Sequence, residues 1–134
     1  MKRLRHPDRW GLHLRVVLGA EVAMGPGKAD LLDGIAATGS IAAAGRCLGM
    51  SYKRAWLLVE AMNAMFAEPL VDAAKGGAGG GGAALTPLGA RMLAAYRKLE
   101  TLAAASGAAE LAEMRAALPP AEAARPRRAT RAAG

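Results

Sequence analysis

The chain has 134 residues and a formal net charge of +7, from 18 basic and 11 acidic residues. That is enough for one compact domain with tails, and it puts polyanions, DNA first, ahead of other partners. Hydrophobic residues make up 53% but aromatics only 4%; alanine, leucine, valine and methionine must therefore fill the core, which favours close-packed helices over a large sheet. A single cysteine, Cys47, excludes an internal disulfide, and with His6 and His13 it has no zinc-ligand spacing, so no metal and no cofactor are expected. Cys47 reads as a small core residue in a reducing cytoplasm.

Residues 1 to 12 form a basic arm, part of a segment in which Lys2, Arg3, Arg5, Arg9 and Arg15 face Asp8 alone. The arm superficially resembles a secretory leader, but Arg9 and Arg15 interrupt it and Glu21 closes the apolar run early. No apolar run approaches the roughly 18 residues of a membrane span. A cytoplasmic protein is expected. Residues 13 to 19 are β-branched enough for a short strand, and Gly25-Pro26-Gly27 reads as a turn before a helix starting near Lys28. Leu31, Leu32, Ile35 and Ala36 share one face of that helix. Gly39 suits its left-handed C-cap, and Ser40 the N-cap of the next helix.

The second helix is short, with Ile41, Ala44 and Leu48 as its apolar stripe and small residues at 43 to 45 that admit a close neighbour. Gly49 supplies a tight turn, Met50 an apolar plug and Ser51 an N-cap. A third helix follows to about Phe66, with Ala55, Val59 and Met62 facing inward. Leu70 to Asp72 and Ala83 to Leu85 read as the two strands of a wing around the glycine-rich loop Lys75 to Gly82. Thr86 caps a fourth helix with Pro87 in its first turn. Leu88, Met92, Ala95, Leu99 and Leu102 make a heptad-like stripe on it. Gly107 breaks it, a weaker stretch with Leu111, Met114 and Leu118 follows, and Pro119-Pro120 opens a basic tail read as disordered.

The fold class expected is mostly α with a small β wing: a winged helix-turn-helix with a long C-terminal dimerisation helix. The expected organisation is a basic arm over 1–12, the winged domain over 13–106 with the dimerisation helix at about 87–106, and a weakly helical, then disordered tail over 107–134. Helix, glycine turn, helix over residues 40 to 66 is helix-turn-helix order, in which the second helix enters the major groove N-terminus first. Lys53 and Arg54 in its first turn oppose the macrodipole unless an anion is near. Arg54 can fork onto guanine O6 and N7; Tyr52 and Lys53 can serve phosphates or bases. Ser40 and Ser51 can donate to phosphate beside helix N-termini. Tyr52 can also pack against the wing. Trp56 can touch the sugar-phosphate backbone or pack inward, and its large ring favours packing. At the wing, Lys75, Gly79 and Gly80 can approach the DNA backbone.

Residues 31 to 99 resemble the N-terminal domain of ModE-type, molybdate-responsive transcription regulators. The resemblance rests on Leu31 to Ile41, the Ser-Tyr-Lys-Arg-Ala-Trp run at 51 to 56, Met62-Asn63, the glycine loop from Gly76 to Ala83, and Leu85 to Gly89. LysR-type regulators share the more general pattern. The resemblance implies a homodimer on a palindromic operator. It assigns Ser51 to Arg54 to the start of the recognition helix, Lys75 to Gly82 to the wing, and Leu88 to Leu102 to a dimer-forming helix. Full-length members carry a second, molybdate-binding half, which this sequence does not contain, so no direct molybdate binding is expected.

Enzyme readings fit poorly. The glycine run lacks a following Lys-Ser/Thr, and Gly27-Lys28 is followed by Ala29, so neither is a P-loop. Asp30 and Asp33, one turn apart, read as a solvated face, and no nucleophile, base and acid are sensibly placed. No catalytic residue is expected. Two rival readings are a non-specific nucleoid-type binder leaning on its basic tails, and an interaction module that heterodimerises with a full-length regulator.

Overall fold

The computed structural model describes residues 10–74 and 82–120. Its order is β1 (Val16–Gly19), β2 (Val22–Met24), α1 (Pro26–Thr38), α2 (Ile41–Cys47), α3 (Tyr52–Met65), β3 (Val71–Ala73), β4 (Ala83–Leu85), α4 (Pro87–Ser106) and α5 (Ala108–Ala116). The described chain is mostly helical, with two antiparallel hairpins, β1-β2 and β3-β4. This arrangement is compatible with a winged helix-turn-helix.

The single N-terminal strand expected from the sequence is a hairpin. Glu21 turns the chain at a φ of 60°, and β2 returns with Ala23 and Met24 buried. α1 starts at Pro26, two residues before Lys28, because proline's missing N–H costs nothing in the first turn of a helix. Leu31, Leu32 and Ile35 are fully buried, whereas Ala36 is exposed, being about 100° further round the helix from Ile35.

His13–Leu99 forms one compact unit. Its core joins those α1 residues to Ile41 and Ala44 of α2, Ala55, Val59 and Met62 of α3, Leu70, Val71, and Leu93 and Tyr96 of α4. The inward faces expected for α2 and α3 are therefore the observed ones. Cys47 is not a core residue: it is exposed. It lies about a third of a turn off the Ile41–Ala44–Leu48 stripe, at the end of the helix.

Asp30 departs from its expected solvated position. Its residue is only 5% exposed, and it accepts a 2.9 Å hydrogen bond from Arg97 of α4. The same guanidinium holds Asp33 through Nε at 3.0 Å. α4 is thus tied to α1 by one fork across two carboxylates, one buried and one half-exposed. The Tyr96 hydroxyl, next in sequence, donates to the Leu14 carbonyl at 2.6 Å. Arg97→Met is expected to lower stability by about 1–2 kcal/mol in urea denaturation, since it removes the guanidinium that pairs a buried carboxylate, an effect reduced by the partial solvent screening of Arg97. Arg97→Lys should recover only part, because an ammonium cannot fork. A variant as stable as the parent in either case would remove this account of α4 docking.

The second unit comprises the segments Met1–Leu12 and Glu100–Gly134. Within its described residues, the Arg115 guanidinium lies 5.7 Å from the centre of the Trp10 ring, a cation–π distance. α5 has no buried residue.

Candidate nucleic-acid interface

The interface is built by two capped helices and the turn between them. The Gly39 C-cap has a φ of 70°, and its N–H reaches the Ile35 carbonyl. The Thr38 hydroxyl contacts the Gly34 carbonyl at 2.7 Å and accepts the Ser40 N–H at 3.2 Å. Ser40 Oγ then accepts the Ala43 N–H at 3.1 Å and opens α2. The bonds from the Gly39, Ser40 and Ala43 N–H groups each satisfy a backbone donor at a helix end or in the turn between helices.

The turn from α2 to α3 is equally closed. Leu48 and Met50 N–H groups both reach the Gly45 carbonyl, at 3.1 and 2.8 Å, and Gly49 N–H reaches Arg46 at 3.1 Å. Gly49 has a φ of 70°, a left-handed conformation that side-chain-bearing residues rarely adopt. α2 lies close on α3: a Cβ added at Gly45 would stand 3.0 Å from that of Ala55. Met50 packs against the core as the expected plug. Ser51 caps α3 through Oγ, which accepts the Arg54 N–H at 3.1 Å. Both cap hydroxyls use a lone pair and keep an O–H to donate.

This cap fixes the direction of the first turn of α3. Tyr52, Lys53 and Arg54 are all exposed, and no acidic residue shares that turn. Neither Lys53 nor Arg54 forms an ion pair among the described residues. Two cations at the positive end of a helix dipole, with no counter-charge, form a local anion-attracting surface. Tyr52 is 62% exposed and meets Trp56 edge-on, with ring centres 6.2 Å apart. Trp56 is half-buried against the core. Its Nε1 is shielded from solvent and has no hydrogen-bond partner among the described residues, so the ring packs and supports Tyr52 rather than turning its N–H outward.

The wing is hung from the same framework. β3 pairs β4 through Val71↔Leu85, Asp72↔Ala84 and Ala73↔Ala83, and Ala74 N–H to Gly82 O at 3.0 Å carries the ladder further. β4 is also pinned to the α1 C-cap, by Ala83 N–H to Gly39 O at 2.9 Å. Lys75, Gly79 and Gly80 lie outside the described residues.

Three further residues, Asn63, Thr86 and Gly89, anchor the wing. Asn63 of α3 accepts the Leu70 and Val71 N–H groups at 2.9 Å each and donates to the Val71 carbonyl at 3.0 Å. Thr86 donates to the Pro69 carbonyl at 2.7 Å and accepts the Gly89 N–H at 3.0 Å as the expected cap of α4. Gly89 is buried directly against the backbone of Leu70. The sequence signal was an amide near the end of a helix, shortly before a proline turn, and a Leu-Thr-Pro-Leu-Gly run.

One further cation is structural. Lys28 Nζ reaches the Ala23 carbonyl at 2.6 Å and the Met65 sulfur at 3.8 Å. Burial, and then the Arg15 charge, push its ammonium below the ordinary lysine value.

Of the expected interface residues, the structure brings Ser51, Tyr52, Lys53 and Arg54 together on one helix end, with Ser40 at the start of the preceding helix. A helix-turn-helix followed by a β-hairpin, with a basic outward helix end, is the form of the winged DNA-binding proteins. The comparisons point the same way. The chain is 53% identical over 77 residues, 58% of its length, to the molybdenum-pterin-binding protein MopB of Rhodobacter capsulatus, and covers 28% of that protein. It is 44% identical over 77 residues to the transcriptional regulator ModE of Yersinia pestis, again over 58% of its length and covering 29% of the relative. Against the DNA-binding transcriptional dual regulator ModE of Escherichia coli (strain K12), the identity is 44% over 71 residues, 53% of this chain and 27% of that one. No protein-family model matches the chain. The homologues of this chain are thus ModE regulators and Mop proteins, and it spans less than a third of the length of each of these three.

Proposed function

We propose that this protein is a sequence-specific, DNA-binding transcriptional regulator that acts as a homodimer on a palindromic operator, in the service of molybdenum metabolism. The observation that carries the proposal is the first turn of α3: a capped helix end with Tyr52, Lys53 and Arg54 exposed and no acid beside them. The similarity to a relative named as a DNA-binding transcriptional regulator supports the DNA part of the reading, and the similarity to one named as a molybdenum-pterin-binding protein supports the molybdenum part. In this reading α3 enters the major groove, and Ser40 and Ser51 donate to phosphates. Lys75, Gly79 and Gly80 contact the adjacent DNA backbone in the same reading.

The dimer part rests on α4. Leu99 and Leu102 are 44% and 52% exposed, and Leu88 and Met92 precede them at helical spacing as half-buried residues. A helix that leaves such a row open gains by covering it with a second copy. Leu99→Glu is expected to yield monomers in sedimentation at micromolar concentration and to abolish binding to two half-sites together. A parent chain that is monomeric there would refute the dimer.

Selection from a random duplex library, followed by gel-shift titration at several salt concentrations, tests the function. We expect an enriched palindrome and an affinity that falls steeply with salt, because phosphate contacts release counterions. Absence of any preferred duplex would refute it. Enriched sites in the source genome should lie beside molybdate-uptake or molybdoenzyme genes; a distribution unrelated to them would remove the molybdenum link. Arg54→Ala is expected to weaken operator binding by about 1–3 kcal/mol and to relax preference at one guanine. Equal weakening on every sequence would place Arg54 on a phosphate instead.

A further inference from the structure

α3 carries one side chain for which the packing of the domain gives no reason. Leu57 is 55% exposed, on a helix whose other large apolar residues are buried, as Val59 and Met62 are, or half-buried, as Trp56 and Leu58 are. At 100° per residue, Leu57 lies about 40° round the helix from Lys53 and about 60° from Arg54, one turn further in. Ala61 and Ala64 continue the same outward face and are exposed too. The face therefore runs from a basic first turn to an isobutyl group and then to methyl groups small enough for close approach. Glu60, exposed on the flank of that face, is repelled by phosphate and so favours docking by the first two turns.

Helices that read the major groove do so with residues spaced i, i+3, i+4 and i+7 on one face. Arg54 and Leu57 stand at i and i+3. The apolar feature of the major groove is the C5 methyl of thymine. We infer that Leu57 is a specificity-determining residue of α3 that packs on the methyl group of a thymine, next to the base contacted by Arg54. The inference rests on the reading of α3 as the recognition helix.

Its test uses the full chain and the duplex selected from a random library. Each thymine is replaced singly by uracil, which removes only the methyl group and keeps every hydrogen-bonding atom. We expect one thymine in each half-site to lose about fourfold in affinity on conversion, the worth of one buried methyl. Leu57→Ala should weaken binding to the thymine duplex to a similar extent and be insensitive to that uracil, a closed double-substitution cycle. Because Leu57 is exposed, the variant should keep the parent's Tm. A parent protein indifferent to uracil at every position would overturn the inference while leaving sequence-specific binding intact. So would a Leu57→Ala variant that keeps the parent's uracil sensitivity, which would give the methyl contact to another residue. A library that returns no preferred duplex overturns both this inference and the function proposed above.

Discussion

Replacing Gly89 with alanine is expected to destabilise the protein by at least about 3 kcal/mol, at the upper end for overpacking. The backbone at this position is helical, so the demand on glycine is one of space alone. A Cβ would overlap the Leu70 carbonyl oxygen and sit 2.9 Å from the carbonyl carbon and 3.2 Å from the Cα. These are main-chain atoms, which cannot swing aside as a side-chain end can. The same oxygen accepts the Thr86 N–H at 3.0 Å, so relief of the clash also stretches the bond that starts α4. Alanine's better helix propensity, about 1 kcal/mol, is too small to offset this. Urea denaturation of Gly89→Ala measures the loss; a midpoint within 0.1 of the parent's, as a fraction, on the order of an ordinary surface substitution, would show that the wing and α4 separate easily.

Asn63→Ala should cost about 3 kcal/mol by the same measurement, at roughly 1 kcal/mol for each of its three hydrogen bonds. Leu70 and Val71, whose backbone groups it serves, are 0% and 2% exposed, so water cannot readily replace the amide. Asn63→Asp separates the parts. A carboxylate can still accept the two N–H groups but turns a second oxygen toward the Val71 carbonyl, which also accepts. Only the protonated acid restores all three bonds. The folded-state pKa of the new acid is therefore raised above its unfolded value of about 3.9. The stability it contributes is fully present below that value and is lost as pH rises through the folded pKa. Asn63→Asp should thus approach the parent's stability in acid and fall below it at neutral pH. A constant deficit at all pH values would show that the Val71 carbonyl is not an obligate partner.

Both variants act on the point where α3, β3 and α4 meet, and that junction was only partly legible in the sequence. Thr86 and Pro87 read as a cap and first turn because cap chemistry is local: the groups concerned lie within three residues. The Thr86 link to Pro69 spans 17 positions and leaves no local pattern. Asn63 is similar. Its amide stands in a helical stretch where polar residues ordinarily face solvent, and its partners come from beyond the Pro69 turn. Asp30 and Asp33 share a helix face, and nothing nearby in sequence marks one of them as buried under an arginine 67 residues away. Cys47 differs from its expected place for the opposite reason. A cysteine's small apolar character suggested burial, whereas the helix phase had already put it off the stripe.

By itself, the sequence determined the helices, their caps and the turn on which the candidate interface depends. Ser40, Gly39, Gly49 and Ser51 act through backbone geometry within a few residues, and Ala55, Val59 and Met62 mark an inward face by spacing alone. The basic first turn of α3 was equally legible, since caps and helical phase decide which residues lead. Tertiary structure alone decided what stands behind that face. It returned β2 along β1, because a short half-exposed strand must pair. It buried Asp30 under Arg97 and hung the wing from Asn63, Thr86 and Gly89. These are contacts between distant segments, made where main-chain groups leave water and must find partners, and no local pattern of side chains announces them. The exposure of Leu57 does not belong with them: it follows from helix phase, since Leu57 lies about 160° round α3 from Ala55 and Val59.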